Sequence, residues 1–136
     1  MYLADPEPVL RAIAGMTAPG GMVSLLVRNG DALAMRPGLL GDWAACAEAF
    51  SADRYPNRIG VTARADRLAD LTGRLAGHGL QVTAWYGVRV FTDNAPSDAE
   101  PPPDLPTLLA CEERAGRTDP YRQVAALLHL IARRPG

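Results

Sequence analysis

The chain has 136 residues, of which 48% are hydrophobic and 21% charged, and its formal net charge is −1. Those values describe one ordinary folded domain and exclude a disordered chain, a disulfide scaffold and a global basic field for nucleic acid. All 14 basic residues are arginine, whose planar fork binds carboxylate and phosphate bidentately. The longest apolar run is far short of the roughly 20 residues that span a bilayer, so no membrane segment is expected.

Asp5, Pro6 and Glu7 predict the start of a helix: a capping carboxylate, a proline at the first helical position and an acid on the dipole. Val9, Leu10, Ile13 and Met16 continue it at helical spacing until Pro19-Gly20-Gly21. Met22 to Val27 is an apolar run expected to form a strand buried on both faces. Arg28-Asn29-Gly30-Asp31 reads as the polar turn that ends it. Ala32 to Phe50 has a helical pattern broken by Pro37-Gly38. Asp42 caps its second piece, which carries Trp43, Cys46, Ala47 and Phe50. Ser51 to Arg64 reads as a loop containing Tyr55-Pro56-Asn57-Arg58.

Asp66 is the expected N-cap of an amphipathic helix carrying Leu68, Leu71 and Leu75, with Gly77 and Gly79 at its end. Leu80 to Phe91 reads as a strand. Val82, Ala84, Tyr86, Val88 and Val90 fall on one face and Thr83, Trp85, Arg89 and Phe91 on the other, with a bulge or bend expected at Gly87. Asn94 to Pro103 is a surface loop. Asp104 caps a helix to about Gly116, with Leu105, Leu108, Leu109 and Glu112 at helical spacing, and Pro106 is tolerated in its first turn. Val124 to Ala132, with His129 inside it, is the final strand. Alternation of helices and strands predicts an α/β fold with a largely parallel sheet.

Cys46 and Cys111 belong to no Cys-x-x-Cys pair or Cys/His cluster, so they read as small buried hydrophobes and no metal site is expected. Met1 to Glu7 lacks a basic region followed by an apolar stretch, so no signal peptide is expected and a cytoplasmic location is the default. No G-x-G-x-x-G turn follows a strand and opens a helix. The glycines of Gly38 to Gly41 and Gly73 to Gly79 read as structural.

Two sets of residues carry a resemblance. Ala4-Asp5-Pro6, Thr17-Ala18-Pro19-Gly20-Gly21 and the strand Met22 to Val27 resemble the fourth helix and fifth strand of class I S-adenosylmethionine-dependent methyltransferases. Asn29, Met35-Arg36, Tyr55-Pro56, Tyr86-Gly87-Val88-Arg89-Val90-Phe91, Asp119-Pro120-Tyr121 and His129 with Ala132-Arg133 follow in the order found in the bacterial tRNA carboxymethoxyuridine methyltransferase family. The resemblance covers nearly the whole chain. It implies that residues 1–136 are the C-terminal part of one Rossmann-like methyltransferase domain: strands five to seven, the last antiparallel, with flanking helices. It implies S-adenosylmethionine as cofactor, while the glycine-rich turn and ribose-binding acid of the family are not in this chain. The N-terminal cofactor-binding half would be absent, through truncation or a misplaced start codon, and this chain alone is expected neither to bind the cofactor nor to be active.

The candidate substrate-binding residues are Asn29, Arg36, Tyr86, Arg89 and Tyr121. Arg89, near the C-terminal end of an apolar strand, either grips a carboxylate or phosphate of the acceptor or pairs with Asp93 or Glu112. Asn29 either orients substrate or forms a turn. Arg36 binds RNA phosphate or caps helix carbonyls. Tyr86 and Tyr121 stack a base or serve as core aromatics with a polar tip. His129, Trp43 and Trp85 read as packing residues. No Ser/His/Asp triad is visible; methyl transfer to an ionised carboxylate needs neither a covalent nucleophile nor a general base, only positioning.

The expected activity is therefore methylation of a polar acceptor, with the carboxylate of a modified tRNA wobble uridine as the candidate. A small-molecule methyltransferase and a non-catalytic interaction module that has lost its cofactor half are the alternatives. The apolar, uncharged strand Met22 to Val27 also predicts self-association through an exposed sheet edge.

Overall fold

The structure, a computed structural model, describes every residue except Met1, Tyr2, Ala4, Arg58 and Ser97. The expectations that fall on Ala4 and Arg58 lie outside the described residues.

Helix α1 (Glu7–Met16) starts one residue later than expected: Pro6, not Asp5, is at the N-cap, while the Asp5 carboxylate accepts the Glu7 N–H at 3.0 Å. Strand β1 (Met22–Arg28) follows, then a 3-10 turn over Gly30–Ala32 and two short helices, α2 (Met35–Leu39) and α3 (Trp43–Ala49). Pro37 and Gly38 lie inside α2 rather than breaking it, and the break falls at Leu40 to Asp42. Asp42 caps α3 by accepting the Ala45 N–H at 3.1 Å. The expected loop from Ser51 to Arg64 contains a hairpin, β2 (Arg54–Pro56) and β3 (Thr62–Arg64). Its turn is closed by the Asn57 side chain, which accepts the N–H groups of Ile59 and Val61, as asparagine does in turns.

Helix α4 (Leu68–Gly77) starts without Asp66 as its cap; Arg67 occupies that position, and Asp66 is buried in an ion pair with Arg64. Strand β4 (Gln81–Val88), helix α5 (Leu105–Arg117), a 3-10 turn (Tyr121–Val124) and strand β5 (Leu127–Arg133) complete the chain.

The main sheet has the order β1-β5-β4, and β5 runs antiparallel to both neighbours. β1 and β4 are thus parallel to each other, but no two hydrogen-bonded strands among the described residues are. This corrects the expectation of a largely parallel sheet: the last strand inserts between the two that alternation had made neighbours.

One face of the sheet carries the core. Leu10 and Ala14 of α1 and Leu71 and Leu75 of α4 pack on Val23, Leu128, Leu130 and Ala132. The other face is not covered in the same way: Met22 is 64% and Leu26 54% exposed. β1 is therefore buried on one face only, correcting the two-faced expectation. In β4 the register slips between Val82 and Ala84. The bulge thus sits at Thr83, not Gly87, and puts Val82 and Trp85 together against the core while Tyr86 pairs with His129 on the open face.

Gly87 has a different reason. A Cβ there would lie 2.7 Å from the Ala125 Cβ and 2.8 Å from the Arg122 Cα, and a Cβ on Gly116 would strike the Gly87 carbonyl oxygen. Two glycines let α5 and the second 3-10 turn close onto β4. The apolar stripe expected on α5 is not buried: Leu105 and Leu109 are exposed, and Ala115 and Gly116 make the contact. Trp43 is likewise exposed and not a packing residue; Cys111 is exposed and Cys46 half-buried, so neither is a core hydrophobe.

Candidate anion-binding site

The strand ends at Val88, so Arg89 stands just beyond β4 instead of on it, in a turn with φ +61°. A non-glycine residue in the left-handed region is unusual and strained. The turn is held by Glu112 of α5, whose carboxylate accepts the N–H of Val90 at 2.8 Å, the N–H of Phe91 at 3.0 Å and the hydroxyl of Thr92 at 2.9 Å. Successive backbone N–H groups on one carboxylate fix the loop firmly. Glu112 is thus a pedestal for the Arg89 turn and not a partner of the Arg89 guanidinium. Its place at helical spacing on α5 was visible, but its backbone partners are set only by the packing of α5 on β4.

Asp93, at the end of this turn, gathers cations from three elements. Arg28, the last residue of β1, donates from both terminal nitrogens to one Asp93 oxygen at 3.1 Å. Arg89 Nη2 stands 3.5 Å from the other oxygen. Arg36 of α2 donates to the Asp93 backbone carbonyl. The Arg28 and Asp93 side chains are 9% and 16% exposed, whereas Arg89 is 40% exposed. Two guanidinium groups meet the Asp93 carboxylate and a third meets its backbone carbonyl, so with Glu112 in the same turn three cations stand against two carboxylates and an excess of positive charge remains. Arg28 also lies over the Tyr55 ring, 5.1 Å from its centroid. A cavity of about 360 Å³ between α2, α3 and the β2–β3 hairpin has Arg28, Arg36 and Arg54 on its wall, with Asp42 and Glu48.

Of the sequence-predicted residues, Arg36 and Arg89 are brought together here. Asn29 lies beneath them, 1% exposed. Its amide nitrogen donates to the Gln123 and Ala125 carbonyls at 3.0 and 2.9 Å, and its oxygen accepts the Asp31 N–H. Those bonds tie the end of β1 to the start of β5 and occupy both amide hydrogens. Tyr86 is on the open sheet face, with the Arg117 guanidinium 5.8 Å from its ring centroid. Tyr121 is 52% exposed, its ring 6.5 Å from that of Phe91. Beside it Arg122 lies 4.0 Å over the Trp85 ring and donates to both Asp119 oxygens. That hydrogen-bonded guanidinium holds the Asp119 carboxyl below its usual value, and the Arg122 side chain is raised in turn by Asp119.

The arginine cluster suits an anion. Among the described residues neither β1 nor β4 passes through a glycine-rich turn into a long helix. No group of three or more His, Cys, Asp or Glu residues able to hold a metal ion occurs among the described residues. No described helix is long and apolar enough to cross a membrane.

An α/β sheet with its last strand antiparallel between two parallel ones, flanked by helices, is compatible with one half of an α/β methyltransferase. Over 98% of its length the chain is 28% identical to the tRNA 5-carboxymethoxyuridine methyltransferase of Escherichia coli O157:H7, and to the same degree to that of Escherichia coli strain K12. The chain spans about half the length (51%) of these curated relatives, a similarity consistent with the C-terminal half of that family. No protein-family model matches the chain.

Proposed function

We propose that residues 1–136 form the acceptor-side, C-terminal part of an S-adenosylmethionine-dependent methyltransferase domain, with strands β1, β4 and β5 as its fifth, sixth and seventh. In this reading the cofactor is held by residues outside this chain, in the cytoplasm, and the acceptor is the carboxylate of a modified wobble uridine in tRNA. The observation that carries the proposal is the excess of guanidinium over carboxylate at the Arg89 turn, together with the similarity to relatives named for a carboxymethoxyuridine in tRNA.

The cofactor supplies an electrophilic methyl group when bound. The residues of this chain bind and orient the acceptor. Arg89, far more exposed than Arg28, takes the carboxylate, and its fork fixes the plane of that group. Arg36 adds positive charge beside it, and Asp93 holds Arg28 and Arg89 in place. Asn29 ties the end of β1, beside Arg28, to the segment before β5, and Glu112 positions the Arg89 turn. A carboxylate is ionised at neutral pH, so no base is required, and orientation is the contribution the protein makes.

The test is binding of 5-carboxymethoxyuridine and of its methyl ester to the chain, followed by calorimetry or NMR. The acid should bind and the neutral ester should not, and Arg89→Ala should abolish the difference. Equal affinity for acid and ester would overturn the reading.

A further inference from the structure

One hollow is not used by this reading. Phe91, Cys111, Arg114, Ala115, Thr118 and Tyr121 line an open depression of about 340 Å³ on the outer side of the Arg89 turn. Its two rings are more than half exposed, with centroids 6.5 Å apart and planes inclined by 57°. The rings are in tilted contact with each other, and their exposed surface is left for a flat π-system to lie on.

Both rings are rigidly mounted. The Phe91 N–H is bound by Glu112, and the turn that carries Tyr121 is anchored by the Arg122 N–H on the Thr118 carbonyl at 3.0 Å. The walls are apolar, but the rim is cationic: Arg114 is exposed on the last turn of α5 and has no acidic partner among the described residues, whereas its neighbour Glu113 is engaged by Arg117 at 2.9 Å. A flat uncharged body attached to an anion satisfies both features, and a nucleobase joined to its phosphate has that form. Aromatic platforms beside arginine are the common means of holding single strands.

We propose that this hollow is a stacking site for a nucleobase of single-stranded RNA, adjacent to the nucleotide held by Arg89, with Arg114 on the phosphate between them. This rests on the acceptor reading above. It assigns Phe91, which stands two residues from Arg89, a direct contact with the RNA.

The test uses the full chain and a fluorescently labelled pentamer of unmodified uridines at fixed salt. Unmodified RNA carries no carboxylate, so its binding reports on the hollow, while the comparison of acid and ester reports on Arg89. Phe91→Ala and Tyr121→Ala should each weaken binding by roughly 5- to 150-fold, the range for loss of one stacking partner, and Phe91→Trp should retain it. Both side chains are surface residues, and a thermal melt checks that the variants fold. Cys111 provides a second readout. In a Cys46→Ser background the pentamer should slow modification of Cys111 by a thiol reagent, and inorganic tripolyphosphate should not.

Pentamer binding that ignores both substitutions and leaves Cys111 unprotected would overturn the stacking site and leave the acid-over-ester preference standing. Equal protection by tripolyphosphate would reduce the hollow to a charge effect. Protection that rises with protein concentration alone would mean that a second copy covers it. Either result also overturns the proposal.

Discussion

Arg89 combines an unfavourable backbone conformation with a side chain far more exposed than that of Arg28. The two can be separated by mutation. Arg89→Ala should keep the strain and lose the grip, weakening acceptor binding by about 1.5–3 kcal/mol, as for a charge-assisted hydrogen bond; Arg89→Lys should recover part of it, because an ammonium lacks the fork. Arg89→Gly should lose binding as fully yet raise stability by about 1 kcal/mol, since glycine adopts positive φ freely. Calorimetric melts beside binding isotherms check this, and a glycine variant no more stable than the alanine variant would show that the turn is unstrained. Asp119 gives a pH dependence. Its carboxyl is held below the usual value by the Arg122 hydrogen bonds, so the folded state favours the ionised form. The resulting stabilisation is complete above the unfolded pKa of about 4 and is lost as pH falls through the lowered folded value. Asp119→Asn should therefore differ from wild type at pH 7 and converge with it only as pH falls through the lowered folded value, in urea unfolding experiments.

At the scale of elements, α5 and β4 meet through two glycines. An alanine inside a helix normally stabilises by about 0.5–1 kcal/mol relative to glycine. Gly73→Ala in α4 should show that gain, because nothing lies within 4 Å of its new methyl group. Gly116→Ala should show the reverse, because the methyl would meet the Gly87 carbonyl. Displacing α5 would also move Glu112, so the same variant should weaken acceptor binding. Denaturant midpoints of the two variants give the comparison, and a Gly116→Ala protein as stable as wild type would mean that α5 does not press on β4. Both glycines were visible in the sequence. Gly87 suggested a bend, and Gly116 a helix end, because the close approach involves residues almost thirty positions apart.

At the scale of the whole molecule, β1 is hydrogen-bonded along one edge to β5, and among the described residues its other edge meets only the bridge from Asn29 to Asp66. An apolar edge strand with one terminal charge is prone to pair with another. The expected result is an increase of scattering mass with concentration, suppressed by Leu26→Lys. Leu26 is the appropriate position because it is exposed, whereas Leu25 packs on the core. A wild-type monomer across the concentration series would show that the edge is protected.

The sequence by itself determined the helices α1, α3, α4 and α5 and strands β1, β4 and β5, because proline and glycine positions, apolar spacing and, at α3, a side-chain cap act within a few residues. It also identified Arg89 as a cation near a strand end and Arg36 as a cation in a helical piece. The tertiary structure alone decided which strands became neighbours, since the insertion of β5 between β1 and β4 depends on pairing across some hundred residues. It likewise decided that Asp66 is an ion-pair partner rather than a cap, that the β4 bulge falls at Thr83, and that Glu112 braces the Arg89 turn. Each is a competition between a local preference and a distant partner. The distant partner prevails where burial makes an unpaired polar group or a steric overlap more costly than the local preference it overrides.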